Sequence, residues 1–494
     1  MSGSALGLGR RASATARPAL AAIAGVLAAL VLGAVVAVGL ERYGVFVVVL
    51  PLVALGMAAL ALVPKFTLWA LAVLSVALED DPEAFLSQLD TFYVTLPGGL
   101  LESSDLLVLA VVAGTALKVA RSGRPPVLPG PFTLPLALLT VAIGIGLVMG
   151  LTSGAMDPGA AFASTRKLLY LILLPILAVN LLDRRRDLVI GIGLLVAVVV
   201  YKSFTGALGL ILGIGREIDG SVLTYYAPAA NFVLLVFVIA VLIAALMPLR
   251  LPTWVWVLWP VAAAILILAL RRNFWIALVV CAILAVLVLT GRHGRGLIVP
   301  ATASLLVAFT LGLGAVGGSQ NDSPIVERVQ SLSPDRINSG AYGRYRLDEQ
   351  RNVRSEIARQ PVVGLGLGVP WQVRHPLPVT FPEGQQYTHI TALWYWLKLG
   401  LMGLLAYIAV VVASCVAGAR LWRGSAPAHV RLAGLALSIS FVGLAVAETT
   451  GSFLGVESRT TTVAALMFGW LAAALRLYPP ASSTPTPAPA PAPR

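Results

Sequence analysis

YYAPAANFVLLVFVIAVLIAALMP, residues 225–248, contains no Asp, Glu, Lys or Arg. A helix needs about 20 apolar residues to cross the hydrocarbon core of a bilayer, and this run supplies them. Windows of the same kind recur outward from it in both directions. They fall at 187–213, 166–182, 131–151, 104–120, 66–78, 44–63 and 18–40 on one side, and at 253–270, 272–290, 297–316, 390–414, 430–450 and 460–477 on the other. Most match a spanning length, while 66–78 is short enough for a re-entrant segment. Composition agrees: 58% of residues are hydrophobic and 12% charged, and the mean hydropathy is +0.90, far from a water-soluble domain. The fold class expected is all-α, a polytopic transmembrane bundle of about 12–14 spanning helices with one long loop containing short helices.

Lys and Arg are retained on the cytoplasmic side of short loops. With the N-terminus inside, Arg10, Arg11, Arg17, Lys65, Lys118, Arg121, Arg124, Arg184 to Arg186, Arg250, Arg292, Arg295, Arg420, Arg423 and Arg431 all fall on one side. The expected organisation is a cytoplasmic segment 1–17, a bundle 18–316, an extracytoplasmic loop 317–389, further spanning helices 390–477 and a Pro/Ala-rich cytoplasmic tail 478–494. The first window is expected to be a retained helix, since no clear cleavage site follows it. The net charge of +13 is mostly this inside bias facing anionic lipid headgroups, so nucleic acid is not an expected partner. Cys281 and Cys415 lie in apolar windows, where a thiol behaves as a small hydrophobe. No internal repeat and no matched pair of broken helices marks the chain as a transporter.

The polar loop is where chemistry belongs. Residues 341–360, AYGRYRLDEQRNVRSEIARQ, read as a helix stopped by Pro361. At about 100° per residue Arg344, Arg351 and Arg354 share one arc, with Arg346 flanking it and Arg336 upstream. Guanidinium groups suit bidentate recognition of phosphate. The plainer alternative is a solvated helix whose arginines are balanced by Asp348, Glu349 and Glu356. Gly364, Gly366 and Gly368 let the backbone approach a ligand or another segment closely, and a tight turn is the simpler account of them. His389 opens the next apolar window, where an imidazole could take a proton from a hydroxyl or serve only structure. Arg271 and Arg272 stand between two windows, suited to snorkelling or to a lipid diphosphate. Lys202 and Glu448 are intramembrane charges without an assigned role.

The segment from Gly343 to Gly403 resembles the O-antigen ligase and polymerase superfamily of bacterial envelope glycosyltransferases. The shared pattern is Arg346, the helix through Gln360, Pro361-Val362-Val363-Gly364-Leu365-Gly366-Leu367-Gly368, His389 and Gly400-Leu401-Met402-Gly403. Arg272 stands at the family's arginine opening an earlier helix, and Leu96-Pro97-Gly98-Gly99 running to Ser104-Asp105 is a further similarity. Ile390 departs from an asparagine common after the histidine, and Gln350 from a tryptophan.

The resemblance implies an inner-membrane enzyme that moves a glycan from a polyprenyl diphosphate carrier to a lipid or glycan acceptor on the extracytoplasmic face. It assigns catalysis to His389 and Arg346, diphosphate binding to Arg272, Arg344, Arg351 and Arg354, and loop backbone to Gly364, Gly366 and Gly368. Neither metal nor cofactor is expected, and the absence of an obvious nucleophile suggests inversion. Glu79-Asp80-Asp81 leaves a cation site as an alternative. A repeat-unit polymerase of the same superfamily, and a transporter or flippase of lipid-linked saccharide, are the competing readings.

Overall fold

The computed structural model describes residues 46–78, 101–212, 216–218, 221–223, 227–247, 249–269, 271–290, 341–379 and 384–479. The windows at 18–40 and 297–316, Arg336, the Glu79-Asp80-Asp81 cluster, Leu96 to Gly99 and the tail beyond 479 lie outside them. Residues 1–63 and 64–494 form two compact units. The first contributes helix α1, Phe46–Leu62.

The second unit holds α2 (Pro64–Ala77), α3 (Ser103–Ser122), α4 (Thr133–Ser153), α5 (Pro158–Leu181), α6 (Arg185–Leu212), α7 (Pro228–Ala245), α8 (Thr253–Leu268), α9 (Arg272–Thr290), α10 (Ala341–Arg359), α11 (Thr391–Arg423), α12 (Ala428–Ala447) and α13 (Ser458–Leu477). Among the described residues nine helices are long and apolar enough to span a membrane: α3 to α7, α9 and α11 to α13. Three of the expected windows give shorter helices, α1 with 17 residues, α2 with 14 and α8 with 16. The structure is an all-α polytopic bundle. Its only strands among the described residues form an antiparallel hairpin, β1 (Arg216–Ile218) with β2 (Ser221–Leu223). The sequence between them, Asp219-Gly220, is a dipeptide favoured in two-residue hairpin connections.

In lipid, helix association rests on close packing rather than on escape from water, so small residues mark the seams. A Cβ on Gly418 of α11 would collide with Ser438 of α12, whose hydroxyl donates to Ser414 O at 2.5 Å. Gly469 of α13 lies against Ala178 and Pro175 of α5. The innermost helices, α7 and α13, are buried nearly throughout. They are joined through a row of rings, Phe232 to Phe441 at 5.3 Å, Phe441 to Phe468 at 4.2 Å and Phe468 to Phe132 at 5.0 Å. The Cys281 thiol donates to Ile439 O at 3.3 Å, and both cysteines are unpaired with each other.

The bundle has two unlike ends. At one, Lys65 reaches Asp183 and Asp187 at 2.5 and 2.8 Å, Lys118 reaches Asp183 at 2.7 Å, and Arg476 reaches Leu182 O at 3.0 Å. Lys65 and Lys118 are among the basic residues that the charge pattern groups on one side. The other end gathers the starts of α3, α5, α9, α11 and α13, and it carries His389.

Candidate active site

Helix α10 decides the geometry. Its buried residues are Tyr345, Glu349, Asn352, Val353, Glu356 and Ile357, a spacing that puts them on one helical face. Val353 and Ile357 pack with Trp371 and Leu397 in a small core. Each buried polar group on that face is answered, as burial demands. Glu356 receives Arg374 Nη2 at 2.7 Å and Nε at 3.1 Å. The Asn352 amide donates to His375 O at 2.9 Å, and its oxygen accepts the backbone N–H groups of Arg374 and His375 at 2.8 and 2.7 Å.

Glu349 faces His389. Its carboxylate lies 3.1 and 3.2 Å from His389 Nδ1 and also accepts the His389 backbone N–H at 3.1 Å. The Tyr345 hydroxyl donates to the same carboxylate at 3.4 Å. The rings of Tyr345 and Tyr387 stand edge-on to the imidazole, with centroids at 5.6 and 5.0 Å. The side chain of Glu349 is 1% exposed and that of His389 16%, so the carboxylate is removed from solvent while the imidazole still reaches it. A carboxylate at Nδ1 selects the tautomer with hydrogen on that nitrogen and the lone pair on Nε2. An orienting carboxylate behind a general base has this arrangement.

The expected site residues separate into two sets. Arg346 is half-buried and about 60° round the helix from Glu349, hence on the His389 side. Arg272 opens α9 at the same end of the bundle, where its neighbour Asn273 donates to Ala447 O at 3.3 Å. Arg344, Arg351 and Arg354 are exposed on the far face, about 140° to 220° from Glu349. There Arg351 pairs with Asp348 at 2.9 Å and Arg354 meets Gln350 at 3.5 Å. Of the three acidic residues that could balance the arginines, Asp348 does so for the outward set. Glu349 is directed to His389, and Glu356 to Arg374, with Arg359 at 3.9 Å.

The glycine loop is a packing device. Helix α11 breaks at Gly400, with φ 68° and ψ −166°, and the break opens its backbone to the loop. Leu365 N donates to Leu397 O at 2.7 Å and Leu401 N to Val362 O at 3.1 Å. Gly366, at φ 96°, lies directly on the backbone of Gly150, leaving no room for a Cβ. Leu367 N donates to Gly146 O at 2.9 Å, and Gly368 O accepts Asp157 N at 2.9 Å. The close approach is therefore to α4, α5 and α11 of this chain.

Three groups near this end were not singled out from sequence for a role. Glu349 was counted only as a counter-charge, although Tyr345, Glu349, Val353 and Glu356 recur at the spacing of an inward stripe. Lys398 is buried, with its ammonium donating to Val369 O and to Gln386 Oε1, the latter at 3.3 Å. It ties the glycine loop to the turn before His389. Arg166 bridges Glu102 and Asp105, and the Tyr170 hydroxyl donates to Asp105. Burial pushes the Glu102 carboxyl above its ordinary range against the pull of Arg166.

Residues 256–408 match a family model described as O-antigen ligase. The matched span covers most of α8, Arg272, α10, the glycine loop, His389 and α11 past its break. No curated protein matches the chain.

Proposed function

On the premise that the chain is a member of the O-antigen ligase-like superfamily through residues 256–408, we propose that it transfers a glycan from a polyprenyl diphosphate carrier to an envelope acceptor at the His389 end of its bundle. That end faces away from the cytoplasm and the Lys65 and Lys118 end faces it, as retention of basic residues inside requires.

The acceptor hydroxyl oxygen attacks the anomeric carbon, the bond from that carbon to the diphosphate oxygen breaks, and the electron pair leaves with the polyprenyl diphosphate. His389 Nε2 takes the hydroxyl proton, and Glu349 stabilises the imidazolium that forms. Arg346 and Arg272 neutralise the diphosphate as it departs. One direct displacement inverts the anomeric centre. The observation that carries this reading is the buried Glu349 carboxylate 3.1 Å from His389 Nδ1, because a histidine kept only for packing does not need a charged partner out of water.

The outward trio Arg344, Arg351 and Arg354 is assigned to attraction of anionic surface or substrate, not to the reacting phosphates. The test is glycan transfer by the purified protein in liposomes, with polyprenyl diphosphate-linked oligosaccharide and both lipid and glycan acceptors. Wild type is expected to make product without added metal and in the presence of EDTA, and His389→Ala is expected to make none while still binding donor. Saccharide moved across the bilayer with no new glycosidic bond would replace transferase with transporter, and elongation on the carrier would select polymerase over ligase.

A further inference from the structure

Glu448 follows α12 at the His389 end, is 2% exposed and takes no part in the transfer described above. A buried carboxylate beside a membrane span is costly and calls for a use. Its two oxygens bind two segments: one accepts Leu454 N at 2.5 Å, the other the Tyr407 hydroxyl of α11 at 2.7 Å. The turn between α12 and α13 is thereby fixed to α11.

That turn in turn grips both sides of His389. The Ser452 hydroxyl donates to Thr388 O at 2.6 Å, Thr391 N donates to Glu448 O at 3.2 Å, and Phe453 N donates to Thr391 Oγ1 at 3.2 Å. It also holds the start of α9, through the rings of Phe274 and Phe453 at 5.8 Å, next to the bond from Asn273 to Ala447 O at the end of α12 at 3.3 Å. One turn, residues 448–454, therefore connects the backbone carrying His389 with the helix start carrying Arg272.

We propose that Glu448 is a positioning residue, which sets His389 and Arg272 in register through the 448–454 turn. The inference rests on the transferase reading above, and it makes the turn the part that converts two separate helix starts into one site. Displacements of about 1 Å in such a constellation lower rates by about 10²-fold.

The experiment compares wild type with Glu448→Ala, Glu448→Gln and Ser452→Ala in liposomes, together with the rate of diethyl pyrocarbonate modification at His389 resolved by peptide mass. Glu448→Ala is expected to lose about 10²-fold in kcat and to raise the donor KM, since both His389 and Arg272 shift. Glu448→Gln, which can still accept from Leu454 N and bond Tyr407, is expected to recover most of that loss. Ser452→Ala removes only the bond to Thr388 O, so kcat is expected to fall by about tenfold with donor KM unchanged. The His389 modification rate is expected to change in both truncations.

A purely structural residue would change the folded fraction alone. Wild-type kcat, KM and His389 modification in folded Glu448→Ala, or in Ser452→Ala should the first not fold, would overturn the proposal. If wild type makes no product the transferase reading fails, and the modification rates alone decide on positioning: a change supports it and no change overturns it.

Discussion

The two faces of helix α10 are built from the same alphabet to opposite ends. The inward face carries Glu349, Asn352 and Glu356, each bound to a group from another segment. The outward face carries Arg344, Arg351 and Arg354, of which Arg351 meets Asp348 and Arg354 meets Gln350 of the same helix. A charge buried and held by a partner from elsewhere in the chain can set a geometry, whereas an exposed charge with a neighbour one turn away is screened and mobile. Charge density alone pointed to the outer face. Burial is the reason the proposed chemistry is assigned to the inner one.

The contrast can be broken most severely at the dyad. His389→Ala and Glu349→Ala are each expected to lower kcat by about 10²- to 10⁴-fold in the liposome assay, and a double variant should be little worse than either single one, because the two act as a unit. Arg346→Gln, on the same face, is expected to cost about 10- to 150-fold in kcat/KM, the value of a hydrogen bond to a charged group. Gly366→Ala tests the scaffold that presents the face. A Cβ there meets Gly150 backbone at a positive φ, and thermal unfolding in detergent should show a loss of about 1–3 kcal/mol or more.

The far end of the bundle sharpens the comparison by behaving like the outer face. Burial works to raise the Asp183 carboxyl, yet the hydrogen bonds from Lys118 and Lys65 outweigh it and hold the carboxyl well below the usual range. A folded value below the unfolded one of about 3.9 adds stability above that pH, which is lost as pH falls through the folded value. With the pair more than a third exposed, the effect is expected to stay below about 1 kcal/mol. Asp183→Asn should flatten the stability curve below about pH 4 and leave neutral-pH transfer unchanged.

Much of the architecture was legible because a bilayer admits so few solutions. Windows such as 225–248 became α7, the short window 66–78 became the short α2, and α10 ended at Arg359, two residues before Pro361. The bend of α11 at Gly400 was not legible, since it depends on Val362 and Leu365 of the glycine loop bonding to Leu401 and Leu397 of the helix, pairings distant in sequence. His389 could be read from its place at a helix start. Glu349 could not be separated from Asp348 and Glu356 by type, and only the inward stripe Tyr345, Glu349, Val353, Glu356 distinguishes it. Glu448 was visible as an unexplained charge, but its bonds to Tyr407 and Leu454 exist only once the turn is folded.

The most direct test sets one face of α10 against the other. Turnover at saturating donor would be measured in the same liposomes for Glu349→Ala and for the triple variant Arg344→Gln, Arg351→Gln, Arg354→Gln, each verified as folded. The account predicts a fall of at least about 10²-fold for the first and of less than about fivefold for the second. Near-normal turnover in Glu349→Ala with a collapse in the triple variant would contradict it, and would return the reacting phosphates to the outer face.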